Sequence, residues 1–222
     1  MALNACCLGI VSSFSPIDMY SVSVYAFKCS IQTKVVLTSY EHYLNFCRVC
    51  KLFSITTVHE VMIRLTSMWY YEPHHFYDWL PNCVKKLIIY DNVFVKKLFH
   101  FESNIETMVI EQSCVDIILP KTLKHLEVKR LFSGNIQFEP AVHLETISMD
   151  CIFTYYDKIH DLPDSVHEIT ITEDFLARIT RWPSSLKDLI IKCTHNDITS
   201  TQYALMLHTP LPKSVTIHVK VI

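Results

Sequence analysis

Leu80-Pro81-Asn82-Cys83-Val84-Lys85-Lys86-Leu87-Ile88-Ile89 decides the fold, because the phrase returns along the chain. It comes back as Leu119-Pro120-Lys121-Thr122-Leu123-Lys124-His125-Leu126-Glu127-Val128. It comes back again as Leu162-Pro163-Asp164-Ser165-Val166-His167-Glu168-Ile169-Thr170-Ile171, and as Trp182-Pro183-Ser184-Ser185-Leu186-Lys187-Asp188-Leu189-Ile190-Ile191. The common pattern is L-P-x-x-[LV]-x-x-[LI]-x-[IV]. A phrase that recurs at a steady period marks a stack of like units, none of which can bury its apolar edge alone.

Looser copies fill the intervals. Ile105-Glu106-Thr107-Met108-Val109-Ile110 lacks the proline, and Leu144-Glu145-Thr146-Ile147-Ser148-Met149 has Pro140 one residue early. Leu211-Pro212 precedes a last copy, Thr216-Ile217-His218-Val219-Lys220-Val221. The first apolar positions are then 84, 105, 123, 144, 166 and 186, with Thr216 in the seventh place, at steps of 21, 18, 21, 22, 20 and 30. The last two apolar positions of the pattern alternate with polar ones, as in a half-buried strand. The proline fixes φ and withholds an N–H, which suits a turn just before the strand. Leu87, Leu126, Ile169 and Leu189 are equivalent inward positions. The long final step holds an extra segment, 194–209, in which Tyr203-Ala204-Leu205-Met206-Leu207 reads as a short helix.

L-x-x-L-x-L at this step resembles the leucine-rich repeat. The L-P-x-x-L form is similar to the short FNIP-type repeats of amoebal and large-DNA-virus proteins and to poxvirus leucine-rich proteins. The asparagine that usually follows the strand in such repeats is missing from most copies, so the convex turns are expected to be irregular. The resemblance covers residues 80–222 and implies a mixed α/β fold: a leucine-rich-repeat solenoid of about seven repeats with a parallel sheet.

The first 79 residues read as a separate small helical module. Ser15-Pro16-Ile17-Asp18 has the N-cap serine and first-turn proline of a helix start. Thr38-Ser39-Tyr40-Glu41 and Thr57-Val58-His59-Glu60 are capping boxes. Tyr43, Phe46, Cys47, Cys50 and Phe53 then share one helical face, as do Val58, Val61, Met62, Leu65 and Trp69, with Glu60 and Arg64 at i,i+4 outside. Helices are predicted near 16–28, 39–53 and 58–71. Short helices ahead of a leucine-rich array resemble the F-box arrangement, carried here by Ser15-Pro16-Ile17-Asp18 and by Leu44-Asn45-Phe46-Cys47-Arg48-Val49-Cys50-Lys51-Leu52-Phe53. That resemblance implies docking of the Skp1 adaptor of a ubiquitin ligase through Pro16, Leu44, Val49 and Phe53. The opening Leu-Pro of the family is Ser-Pro here. The other reading of the same helices is a cap over the first repeat's open edge.

Composition narrows the function. The chain has 222 residues, half of them hydrophobic, 19% charged, with a formal charge of −2. That balance predicts neither nucleic acid nor a membrane surface as partner. There are two glycines, Gly9 and Gly134, too few for a phosphate-cradling loop or a nucleophile elbow. Nine scattered cysteines and no N-x-[ST] site favour reduced thiols in the cytoplasm or nucleus. The uncharged opening, with Ala5-Cys6-Cys7-Leu8-Gly9-Ile10-Val11, lacks the basic flank and cleavage site of a signal peptide and reads as a buried terminus.

No chemistry-bearing motif stands out. Cys47-Arg48-Val49-Cys50 is a C-x-x-C inside a predicted helix, where packing is the simpler role. Glu72-Pro73-His74-His75-Phe76-Tyr77-Asp78-Trp79 reads as an aromatic junction loop rather than a metal site. The expectation is therefore a scaffold with no catalysis, cofactor, metal or small-molecule substrate; an enzyme whose site is assembled across repeats, without a local motif, is the remaining alternative. Its partner is expected to be a protein, of the host and in the host cytoplasm if the viral resemblance carries over. The outward strand positions are expected to form its concave binding face: Ile88, Tyr90, Val109, Glu111, Glu127, Lys129, Ser148, Asp150, Thr170, Thr172, Ile190 and Lys192. Exposed Ile88, Tyr90, Val109 and Ile190 would be its apolar anchors; packing against the chain's own flanking segments is the alternative.

Overall fold

The computed structural model describes residues 34–38, 40–52, 54–65, 80–91, 98–100, 104–112, 116–130, 136–138, 142–151, 162–173, 176, 179–193 and 210–221. The predicted helix near 16–28, Pro16, the 72–79 junction and the helix within 194–209 lie outside them.

The repeats stack as a parallel β-solenoid. The strands are β1 (Lys34–Leu37), β2 (Val58–Leu65), β3 (Val84–Asp91), β5 (Thr107–Gln112), β7 (His125–Arg130), β9 (Thr146–Cys151), β10 (Glu168–Thr172), β11 (Asp188–Cys193) and β12 (Thr216–Val221). They form one nine-stranded sheet in the order β1-β2-β3-β5-β7-β9-β10-β11-β12, every neighbouring pair parallel. Three short strands, β4 (Leu98–His100), β6 (Asp116–Ile118) and β8 (Ile136–Gln137), make a second parallel sheet. Ile117 and Ile136 pack into the same core as the long sheet, so the small sheet backs the large one. Among the described residues there is one α-helix, α1 (Tyr40–Leu52).

The register follows the repeat. Leu87 sits beside Met108, Met108 beside Leu126, then Ile147, Ile169 and Leu189, all buried. The prolines act where expected. In each L-P coil the proline carbonyl accepts from the N–H three residues on: Val84 to Pro81 at 2.9 Å, Leu123 to Pro120 at 3.0 Å, Val166 to Pro163 at 3.1 Å and Leu186 to Pro183 at 3.2 Å. Turn hydroxyls then bind coil to coil. Thr122 Oγ1 donates to the Ile105 carbonyl and Ser165 Oγ to the Leu144 carbonyl, both at 2.8 Å. The Ile105 coil has no proline in its sequence, and the Leu144 coil has Pro140 one residue early.

Two expectations are corrected. Residues 58–65 of the predicted helix 58–71 form a strand: Val58 pairs with Val84, Val61 with Leu87 and Ile63 with Ile89. Val58-x-x-Val61-x-Ile63 is the repeat pattern without its Leu-Pro, and burial against β3 outweighs the capping box. The sheet therefore runs on to Lys34, across the expected boundary at 79/80. The last repeat is also out by two. Leu189 pairs with Ile217, which places Ser214 rather than Thr216 opposite Leu186. Its turn is intact, with Val215 N–H on the Pro212 carbonyl at 3.2 Å, but one residue fewer separates turn from strand.

The helix predicted over 39–53 forms as Tyr40–Leu52. Tyr43, Phe46, Val49 and Cys50 join the solenoid core. The helix ends at Ser54, whose N–H reaches the Lys51 carbonyl at 3.3 Å while Ile55 N–H reaches that of Cys50 at 3.0 Å. This is a Schellman closure, and it turns the chain directly into β2.

Candidate interaction face

The sheet's outward side chains stand in three rows set by the register. Nearest the strand entries run Lys34, Glu60, Lys86, Thr107, His125, Thr146, Glu168, Asp188 and Thr216. The middle row is Val36, Met62, Ile88, Val109, Glu127, Ser148, Thr170, Ile190 and His218. The third runs through Arg64, Tyr90, Lys129, Asp150, Thr172, Lys192 and Lys220. Glu111 leaves the third row: the register shifts after Ile89 and pairs Tyr90 with Gln112. A bulge of this kind re-aims a side chain.

Cross-strand polar contacts tie the rows together. Glu60 takes Lys34 Nζ at 2.9 Å on one oxygen and Lys86 Nζ at 2.8 Å on the other. Burial pushes the Glu60 carboxyl up, but the lysine hydrogen bonds outweigh it and hold the group below its ordinary range. His125 Nδ1 meets Thr146 Oγ1 at 3.0 Å. Lys192 Nζ reaches over β10 to Asp150 at 2.8 Å, and His218 Nε2 lies 3.2 Å from Asp188. Lys129 and Glu127 pair along their own strand at 3.5 Å. The Arg64 guanidinium sits 5.2 Å from the Tyr90 ring centre, in cation–π range.

The expected site residues divide. Glu127, Lys129, Ser148, Asp150, Thr170, Thr172, Ile190 and Lys192 share the face and are partly open, as is Tyr90. Ile88 and Val109 do not serve as exposed anchors: they are 5% and 3% exposed, although they stand outside the core cluster. Lys34, Glu60, Met62 and Arg64 extend the face on β1 and β2. The sequence hides Glu60, Met62 and Arg64 behind a helical pattern, although Val58-x-x-Val61-x-Ile63 is the repeat signal, and Lys34 lies between the predicted helices in a stretch with no repeat phrase.

Of the four residues expected to dock an adaptor, Val49 and Leu44 lie within the described residues. Val49 is 2% exposed and inside the core, so it offers no contact to an adaptor in this arrangement. Leu44 packs partly against the same core, while Arg48, Lys51 and Leu52 face outward, Leu52 at 72%. Phe53 and Pro16 lie outside the described residues. The C-x-x-C cysteines lie on the helix as expected, Cys50 buried and Cys47 partly so.

Among the described residues, no three His, Cys, Asp or Glu side chains gather as metal ligands, and no helix is long and apolar enough to cross a membrane. No family model, curated protein or solved structure matches the chain.

Proposed function

We propose that the chain is a non-enzymatic scaffold that binds a protein partner through the outward face of its long sheet. The observation that supports this reading is the in-register face of nine parallel strands. Such a surface holds many side chains at fixed spacing without ordering cost at binding, which favours recognition of a large partner. The leucine-rich type of the repeat, a cytoplasmic setting and a host protein as the viral target belong to the same proposal. Adaptor docking by α1 is the second reading. What favours it is the outward row of Arg48, Lys51 and Leu52.

The test is quantitative. A partner recovered by cross-linking is titrated against the wild-type chain and against a triple variant, Tyr90→Ala, Glu127→Ala and Lys129→Ala. Loss of more than ~1 kcal/mol of binding with folding intact is expected, as for anchors at an interface centre. Unchanged affinity moves the binding site off this face.

A further inference from the structure

Three cysteines from two distant stretches converge beside the first coils. Cys47 and Cys50 are one helical turn apart on α1, and Cys83 lies in the turn that enters β3. The Cys50 thiol is hydrogen-bonded to the Cys83 sulfur. The backbone fixes both ends: Ile55 N–H holds the Cys50 carbonyl at 3.0 Å, and Val58 N–H holds that of Cys83 at 2.8 Å. We propose that Cys50 and Cys83 form an oxidisable pair, which a peroxide closes into a disulfide tying α1 to the turn before β3.

The two sulfurs have different parts. The hydrogen bond from Cys50 lowers the Cys83 thiol, while the same contact raises Cys50, so Cys83 is the sulfur that ionises first and acts as the nucleophile. Cys83 is 7% exposed, which suits an oxidant as small as hydrogen peroxide. The Cys83 thiolate attacks one peroxide oxygen, breaks the O–O bond and becomes a sulfenic acid, releasing hydroxide. Oxidation removes the charge that held the Cys50 proton. Cys50 then gives up that proton, and its sulfur attacks Cys83 and expels hydroxide. The released proton and the one first lost by Cys83 convert the two hydroxides to water. In sum, two thiols and one peroxide give one disulfide and two waters. Burial raises the Cys47 thiol, which leaves Cys47 a bystander despite its partial exposure.

The crosslink spans β2 and pins the helix to the sheet, so its effect is read on α1. The full chain is reduced, freed of reductant and treated with stoichiometric hydrogen peroxide. Intact mass should fall by two hydrogens, and peptide mapping without reductant should join Cys50 to Cys83. Amide exchange over Tyr40–Leu52 should slow on oxidation and recover with dithiothreitol. Cys50→Ser and Cys83→Ser should each abolish the link, while Cys47→Ser keeps it. A wild-type chain that loses no hydrogens, or that links through Cys47 instead, overturns the proposal without reliance on any variant's folding.

Discussion

Ser54 closes α1 with φ at 49°, in the left-handed region where a Cβ crowds the following carbonyl. Its side chain is exposed, so nothing is lost by removing it. Ser54→Gly should raise stability by ~0.5–1 kcal/mol, the relief being partly offset by glycine's freer unfolded chain. An unchanged or lower urea midpoint would place the strain elsewhere. Glu60 works by charge. Its folded carboxyl is held down by Lys86 and Lys34 against the cost of burial. Stabilisation from this lowering is therefore fully present above the unfolded value of ~4.3 and is lost as pH falls through the lower folded value. Glu60→Gln should lower the thermal midpoint at neutral pH, with the gap closing below about pH 4 and shrinking in high salt. A gap that stays constant from neutral to acid pH would mean that packing, not charge, is what Glu60 supplies.

The elements show where sequence reading succeeds. The L-P coils are legible because the proline, the turn and the alternation agree at every level, and the register pairs the equivalent inward positions from Leu87 to Leu189. β2 is not, because its residues satisfy two periods at once. Val58, Val61, Met62 and Leu65 fit a helical face, while Val58, Val61 and Ile63 fit the repeat. Local signals favour the helix; the neighbours that select the strand, β1 and β3, both lie outside the stretch. Glu60 and Arg64, read as a helical i,i+4 pair, both point outward from a strand, and Glu60 bonds across to Lys34 and Lys86 instead. The alternation of outward side chains holds along β7, β9, β10 and β11, while Glu111 leaves its row at the bulge in β5. Burial of Ile88 and Val109 was not legible, since alternation tells which side of a sheet a residue takes, not what covers that side. The coil-to-coil hydroxyls were equally hidden. Thr122→Val keeps the shape but deletes the donor to the Ile105 carbonyl. It should cost about 1 kcal/mol, seen as a lower urea midpoint at unchanged slope. No shift would show that water replaces the hydroxyl at that carbonyl.

At the scale of the whole molecule, stability is shared between neighbours, because each coil covers the apolar edge of the next. The core is one continuous cluster from Val35 to Cys193, and α1 contributes to it from the first coils. No independent core starts at residue 80: Val58, Val61 and Ile63 are buried, and their strand pairs with β3. Cutting there would leave β3 as an edge strand, with Val84, Leu87 and Ile89 stripped of the coil beside them. Unpaired, apolar edges of this kind recruit other chains. A fragment of residues 80–222 should therefore aggregate or self-associate, whereas a fragment beginning at residue 34 should retain more solubility, since β1, α1 and β2 remain in place. Light scattering behind size-exclusion chromatography compares the two directly. A monomeric 80–222 fragment with native-like sheet content would show that the later coils hold together without the first two strands, and that the helix and β2 serve some end other than covering them.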